Sequence, residues 1–311
     1  MATPRSTASR LFSNRAFLLI CLMATNIAMI VLAVLLISIF WQGWGTLSWK
    51  FITSFASRKP SEAGILAPLM GSVWVCAICG LVALPLGIGT AIFLEEFAKR
   101  SRFTRIIQTN IMNLAGVPSI VYGILGLTAF ARMFGAFGTT SEDAMNFGDS
   151  ESLLFLRIPF GSTVLAGGLT LMLVILPVVI ISTQEALRSV PSSLRSGAFA
   201  LGATRWQTVW AITLPAAIPG IMTGAILSMS RAIGESAPLL VIGGLLLVFN
   251  TPQNLMSDFA ILPLQIYNWA GRPQDSFHAL AASAIIVQLA VLLVFNGFAV
   301  FVRQKLQKPL Q

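Results

Sequence analysis

The chain has 311 residues, of which 56% are hydrophobic and only 10% charged, and it carries a formal net charge of +9. A water-soluble protein needs more charge than this to cover its surface, so composition excludes a soluble globular domain and points to an integral membrane protein. Helices are expected rather than barrel strands, because lipid offers no partner to an unpaired backbone group and the apolar runs far exceed a strand of about 10 residues.

Six spans are expected in chain order. Phe17–Phe40 carries no charge and is followed by Trp41 and Trp44, an interfacial belt. Arg5, Arg10 and Arg15 precede it as they would a secretion signal. The run is 24 residues long and ends in no small-x-small cleavage site, so it reads as an uncleaved anchor. Ile65–Leu94 follows, with breaks expected at Pro68 and Pro85, and then Ile106–Ala131, which contains Pro118. Phe160–Ser182 is the fourth span. The fifth runs from Leu214 to about Phe249, too long for one upright crossing, and is expected to tilt or to break near Gly234 and Pro238. His278–Val302 is the sixth. Each reaches the roughly 20 residues that cross a hydrocarbon core.

Six spans put both termini on one side. That side collects 13 of the 20 Lys and Arg, including Lys99, Arg100, Arg102, Arg105, Arg188, Arg195, Arg205, Arg303, Lys305 and Lys308. Glu62, Glu142, Asp143, Asp149, Glu151, Asp258 and Asp275 lie on the other. The excess of positive charge assigns both termini to the cytoplasm. It also accounts for the basic net charge without a nucleic-acid partner. Of the outer loops, Gly135–Ile158 is polar and acidic, and Asn250–Phe277 holds the amphipathic piece I-L-P-L-Q-I-Y-N-W-A-G. That piece reads either as a helix lying on the membrane surface or as a docking surface for an external partner. Cys76-x-x-Cys79 has redox or metal spacing, but with no histidine or acid nearby it reads as two buried thiols in a lipid-embedded helix.

The stretch Ser189–Pro215 is polar and basic between two long apolar runs. Pro191 suits the start of a short helix, Gly202 the left-handed residue that ends it, and Thr204-x-x-Gln207 a capping box opening the next helix. The short helix is expected to present Ala198, Phe199 and Leu201, with Arg195 beside them, as a knob for a partner's groove. The alternative is a helical hairpin resting on the membrane.

The spacing of Gly202, nine residues and Ile212-x-Leu214-Pro215 resembles the permease loop of binding-protein-dependent ABC importers, over about Leu66 to Val302. Where that family begins the pattern with Glu-Ala-Ala, this chain has Ser196-Gly197-Ala198. Glu185–Arg195, Gly202–Val209, Arg231–Leu240 and the G-V-P-S-I-V-Y-G of Gly116–Gly123 are similar to phosphate-uptake permeases of the PstA type. The A-type reading over the sister C-type rests on Ser236-Ala237-Pro238 after Gly234-Glu235. The resemblance implies an all-α integral membrane fold of six transmembrane helices with type I ABC importer permease (MetI-like) architecture. It implies a permease domain over 65–304 with a coupling loop at 185–213, preceded by a tail, first helix and outer loop over 1–64 and followed by a cytoplasmic tail over 305–311. It further implies a bacterial cytoplasmic membrane and a C-type permease subunit as heterodimer partner. A dimer of ATP-binding subunits and an extracytoplasmic phosphate-binding protein complete the implied assembly. Residues Arg195, Ala198, Phe199, Leu201 and Gly202 are the implied ATPase contact.

Arg231 and Glu235 are the charges that fall deep within a span, four residues apart and so on one helix face. A mid-bilayer charge costs about 2.5–3.5 kcal/mol on insertion scales, and such residues usually face an interior or a wet path. The pair reads either as a self-neutralising contact with a neighbouring helix or as part of an anion route, in which a guanidinium matches phosphate oxygens as a fork. A route must hold its cargo weakly, and one arginine offset by one glutamate fits that. Gly220-x-x-x-Gly224 allows close helix approach.

The sequence has no G-x-x-x-x-G-K-S/T phosphate loop, so ATP and magnesium are expected in a partner subunit and no cofactor in this chain. His278 falls at a span boundary, and no nucleophile, base and orienter set is apparent, which argues against an intramembrane enzyme. The leading expectation is a permease for inorganic phosphate. Sulfate or molybdate would also meet an arginine, and a self-contained secondary transporter would need a coupling-ion site beyond this single charge pair.

Overall fold

The computed structural model describes residues 7–99, 101–135, 145–149, 152, 155–244, 248 and 250–306. Arg5, Arg100, Glu142, Asp143, Glu151 and Lys308, counted above for topology, lie outside them. The first long helix, α1 (Thr7–Gly43), leads through a short α2 (Trp49–Thr53) to α3 (Leu66–Ile92), which a π-helical turn extends over Phe93–Phe97. Next come α4 (Arg102–Ala115) and α5 (Ser119–Gly126), the latter extended by a second π turn, Leu127–Ala131. An antiparallel pair of three-residue strands, β1 (Met145–Phe147) and β2 (Leu156–Ile158), precedes α6 (Val164–Arg188). The short helices α7 (Ser192–Ala200) and α8 (Arg205–Thr208) then lead, through a third π turn at Val209–Thr213, into α9 (Leu214–Gly234). The chain closes with α10 (Ala237–Ile242), α11 (Leu262–Ala270) and α12 (Asp275–Leu306).

Five of these helices are long and apolar enough to cross a membrane, and α4 with α5 makes a sixth crossing if the bent pair counts as one span. The one expected span over Ile106–Ala131 is therefore two helices, bent by 105° at Gly116–Pro118. Pro118 cannot donate to the ladder, Gly116 ends α4, and Tyr122 on α5 turns its hydroxyl back to the Leu114 carbonyl at 2.7 Å. The expected breaks at Pro68 and Pro85 do not occur, since α3 is continuous through both. Pro68 falls in the first turn, where its missing N–H has no ladder partner to lose.

The core lies where α3 and α6 run side by side. Val75, Cys79, Ala83, Leu171, Ile175 and Val179 are buried there, together with Phe259 from the long connection before α11. Small residues permit the approach: Gly87 meets the Val179 side chain, and Gly168 meets Ile78. The connection Asn250–Ile261 crosses the Leu66 end of α3 and the Val164 end of α6. It caps α6, whose first N–H groups, Val164 and Leu165, donate to the Ser257 and Leu255 carbonyls at 3.0 Å each. The amphipathic piece, read either as a membrane-surface helix or as a docking surface, turns Leu262, Leu264 and Trp269 of α11 into the protein, against Phe51, Ile65 and Phe277. Its Tyr267 stays exposed.

A β-carbon on Gly71 would run into the Ala260 carbonyl of that connection, whereas one on Gly89 would meet nothing within 4 Å. Gly71→Ala is therefore expected to destabilise the detergent-solubilised protein by about 1–3 kcal/mol, the usual cost of overpacking. Gly89→Ala, in a helix interior with open space, should hold or slightly raise the thermal midpoint, and equal midpoints for the two variants would remove this account of the loop.

Candidate functional site

Among the described residues, two regions concentrate polar chemistry: a polar hairpin at one end of the bundle and a charge pair at its centre. The hairpin forms as its residues dictate. Pro191 precedes α7, Gly202 takes the left-handed conformation with φ +82°, and Thr204 with Gln207 closes a reciprocal capping box at α8. Leu201 is 91% exposed and Phe199 47%, and no atom lies near the α-carbon face of Gly202. These three form the projecting tip.

Ala198 and Arg195 are placed differently from the expectation. Ala198 is buried, pressed inward with its helix against the Val209–Thr213 turn. Arg195 is a strut: Nη2 donates to Glu96 Oε1 at 2.8 Å and to the Leu187 carbonyl at 2.7 Å, while Nη1 donates to the Val190 carbonyl at 3.0 Å. A second ion pair, Arg188 with Glu95 at 2.9 Å, lies beside it. The Nε of Arg188 also donates to Glu95 Oε2 at 3.0 Å. Both acids belong to the π turn that ends α3. Sequence reasoning missed Glu95 and Glu96, because their partners lie more than 90 residues away. It also missed a cluster of tilted aromatic rings beside the tip, where the ring centres of Phe97 and Trp206 lie 5.8 Å apart and those of Trp206 and Trp210 5.5 Å. The two tryptophans are exposed.

The charge pair sits at a break in the fifth span. Here α9 ends at Gly234, Glu235 is extended, and α10 begins two residues later. Gly220 of α9 faces Ala186 of α6, and Gly224 faces Ser182. This antiparallel register carried forward sets Arg231 level with Ile175, one residue from the midpoint of α6. The last turn of α9 is thus at the middle of the bundle, and α10 completes the crossing, ending where Ser162 donates to the Ile242 carbonyl at 2.7 Å. Arg231 Nε donates to Glu235 Oε1 at 3.1 Å, with side chains 48% and 17% exposed.

Successive residues of a helix lie about 100° apart. Around α9, Ser228 and Ala232 face α6, Met229 meets Gly80 of α3, and Ser230 meets Asn296 of α12. Leu227, Arg231 and Gly234 remain on one exposed stripe. A charge pair at mid-bundle on an uncovered face can exchange its internal contact for an anion's oxygens, because the guanidinium keeps donors that Glu235 does not occupy.

Among the described residues no three of His, Cys, Asp and Glu cluster as metal ligands, and Cys76 and Cys79 are free thiols on α3. His278 shares a 2.6 Å hydrogen bond with the Arg272 carbonyl.

Comparison with known proteins bears on both regions. Residues 83–308 match the family model described as binding-protein-dependent transport system inner membrane component. The chain is 36% identical over 226 residues to a phosphate transport system permease protein PstC of Mesorhizobium japonicum, covering 71% of this chain and 69% of that protein. It is 29% identical over 284 residues to the phosphate transport system permease protein PstA 1 of Mycobacterium tuberculosis (strain ATCC 25618 / H37Rv), covering 89% of this chain and 83% of that one. Its fold superposes with a TM-score of 0.63, at 17% identity and over 92% of this chain and 93% of the other, on a chain of a bacterial alginate ABC transporter solved with an alginate-bound periplasmic protein. The match over nearly three quarters of its length, on the same helices that build the hairpin and the broken fifth span, makes this chain a member of the family of inner membrane components of binding-protein-dependent transport systems.

Proposed function

We propose that this chain is the permease subunit of an ATP-driven importer of inorganic phosphate. Arg231 and Glu235 line the route, and the hairpin over 190–205 receives force from a separate ATPase. The observation that carries the reading is the arginine–glutamate pair on the open stripe at the mid-bundle break of α9. Relatives named as phosphate permeases, of both A and C type, support the choice of anion. The Ser236-Ala237-Pro238 sequence supports the A type. The working assembly pairs this subunit with a C-type permease, two ATP-binding subunits that supply ATP and magnesium, and an external phosphate-binding protein. Both termini and the hairpin lie in the cytoplasm, following the excess of Lys and Arg there. The exposed stripe of α9 faces the second permease subunit across the route.

The test is to purify the chain with its nucleotide-binding and second permease subunits and measure ATPase activity with binding protein loaded in turn with phosphate, sulfate or molybdate. Stimulation by the phosphate-loaded protein alone is the expected result. Stimulation by sulfate or molybdate at equal or greater level assigns the route to another oxyanion.

A further inference from the structure

We propose that Asn296 of α12 is the positioning residue that sets the direction in which Arg231 points. The proposal rests on the reading of Arg231 as a route residue. The hydroxyl of Ser230, the residue before Arg231, lies 2.6 Å from the Asn296 side-chain amide, a shorter polar contact than Arg303 makes with Thr223, and 2.7 Å from the Ile226 carbonyl of its own helix. Because neighbouring residues on a helix are offset by about 100°, fixing Ser230 against α12 fixes where Arg231 emerges.

Packing buries the inner face of this turn, with Met229 and Ala232 in the core shared with α3 and α6, and leaves the side toward α12 more open. A cavity of about 380 Å³ lies on one side, between α3, α9 and α12, lined by Gly80, Met229, Ile233 and Phe295 among others. A second, of about 290 Å³, lies between α9, α11 and α12 and is lined by Ser230, Gly234 and Pro263 among others. Atoms that border a void lose dispersion partners on that side and resist rotation less. Toward α6, α9 presents Gly224, Ser228 and Ala232, four residues apart, whose small side chains let the two helices approach closely. Toward α12, where the two cavities lie, the polar contact is the feature that ties this turn to its neighbour.

A second contact shows that the register is built in. One turn pair away, Arg303 Nη1 of α12 donates to Thr223 Oγ1 of α9 at 2.9 Å. Thr223 and Ser230 are seven residues apart, and so are Asn296 and Arg303. Seven residues are close to two helical turns, so both contacts lie on one seam and hold α9 and α12 as a pair. Gln288 Nε2 adds a longer contact of 3.5 Å to the Ile233 carbonyl, one of the carbonyls that the end of α9 leaves without a helical partner.

The experiment uses the assembled transporter with Cys21, Cys76 and Cys79 replaced by alanine, and nitroxide labels at Leu227→Cys and Glu185→Cys. Leu227 shares the open stripe with Arg231, and Glu185 is an exposed position on α6. Pulsed electron resonance gives the distance between them. In the parent one narrow distribution is expected. Asn296→Leu should broaden or displace it, and phosphate uptake by the unlabelled transporter, with Leu227 and Glu185 in place, should fall about three- to tenfold, the range for one lost interhelical hydrogen bond in a membrane. The exchange Ser230→Asn with Asn296→Ser should restore both. Asn296→Ala serves the same comparison if the leucine variant does not assemble. An unchanged distribution in the Asn296 variants overturns the proposal, because a side chain that only adds stability would change the amount of assembled protein and not the direction of the stripe. If the distances shift while Arg231→Ala transports normally, the positioning role stands and the route role of Arg231 falls.

Discussion

Arg231→Ala is expected to lower phosphate uptake by at least a hundredfold while leaving the amount of inserted, assembled transporter close to normal. The size follows from what the guanidinium has to do. An oxyanion in mid-membrane has lost its water, and in that setting a charge-assisted fork is the strongest single contact a side chain can offer. Without it the anion faces Glu235, whose carboxylate is 17% exposed and is then left with no cation. Two anionic groups then meet where one was paired, and the barrier rises on both counts. Assembly should survive, because Arg231 lies on the exposed stripe of α9 and its removal opens no void in the α3–α6 core. Arg231→Lys keeps the charge but loses the fork and should recover only part of the flux. Radiolabelled phosphate uptake into cells, normalised to subunit abundance in membranes, measures this. Wild-type flux in Arg231→Ala would leave the pair a self-neutralising packing contact.

The second large effect is expected at Arg195. This side chain joins three pieces of backbone: the π turn after α3 through Glu96, and the last turn of α6 and the residue before Pro191 through the Leu187 and Val190 carbonyls. Arg195→Leu leaves a carboxylate that is only 12% exposed without its cation, removes the side-chain donor from the Val190 carbonyl, and leaves the Leu187 carbonyl only the Val190 N–H at 3.3 Å. Breaking one side of a largely buried pair costs about 3–5 kcal/mol. Partial exposure of the guanidinium, at 21%, places the expected loss here nearer 2–3 kcal/mol. That is enough to free α7 from the bundle without unfolding the membrane helices. Co-purification of the nucleotide-binding subunit should fall at least tenfold, and binding-protein-stimulated ATPase activity should fall with it. Arg195→Lys, which keeps one charge but cannot reach three acceptors as a planar fork, should be intermediate. Unaltered coupling in Arg195→Leu would mean that the tip at Phe199 and Leu201 holds its place without this strut.

Features fixed by neighbouring residues were legible in the sequence. The left-handed Gly202 and the Thr204–Gln207 capping box lie within a few residues of one another, and the chemistry of each is local. The break in the fifth span was legible because the apolar run is longer than one crossing and holds Gly234 and Pro238 at the place where it must yield. Prolines inside apolar runs were less informative. Pro85 is absorbed by a continuous α3, while Pro118 divides α4 from α5 by 105°. The difference lies in their neighbours: Pro118 follows Gly116, which ends α4, and the Tyr122 hydroxyl holds the corner. Long-range pairing was not legible. Glu96 with Arg195 and Ser230 with Asn296 join residues 99 and 66 positions apart, and nothing in the local pattern of either segment names its partner. The burial of Ala198 was missed for the same reason, since a helical face becomes an inner face only when the turn at Val209–Thr213 packs against it.

The account as a whole depends on the bundle being driven through its hairpin rather than driving itself. Proteoliposomes settle this directly. The purified permease pair is reconstituted with and without the nucleotide-binding subunits, phosphate-loaded binding protein is supplied at the outer face, and ATP is enclosed in the lumen. Phosphate accumulation only when the nucleotide-binding subunits and ATP are both present is the result the account predicts. Accumulation by the permease pair alone, under a proton or sodium gradient and with no nucleotide consumed, would contradict it.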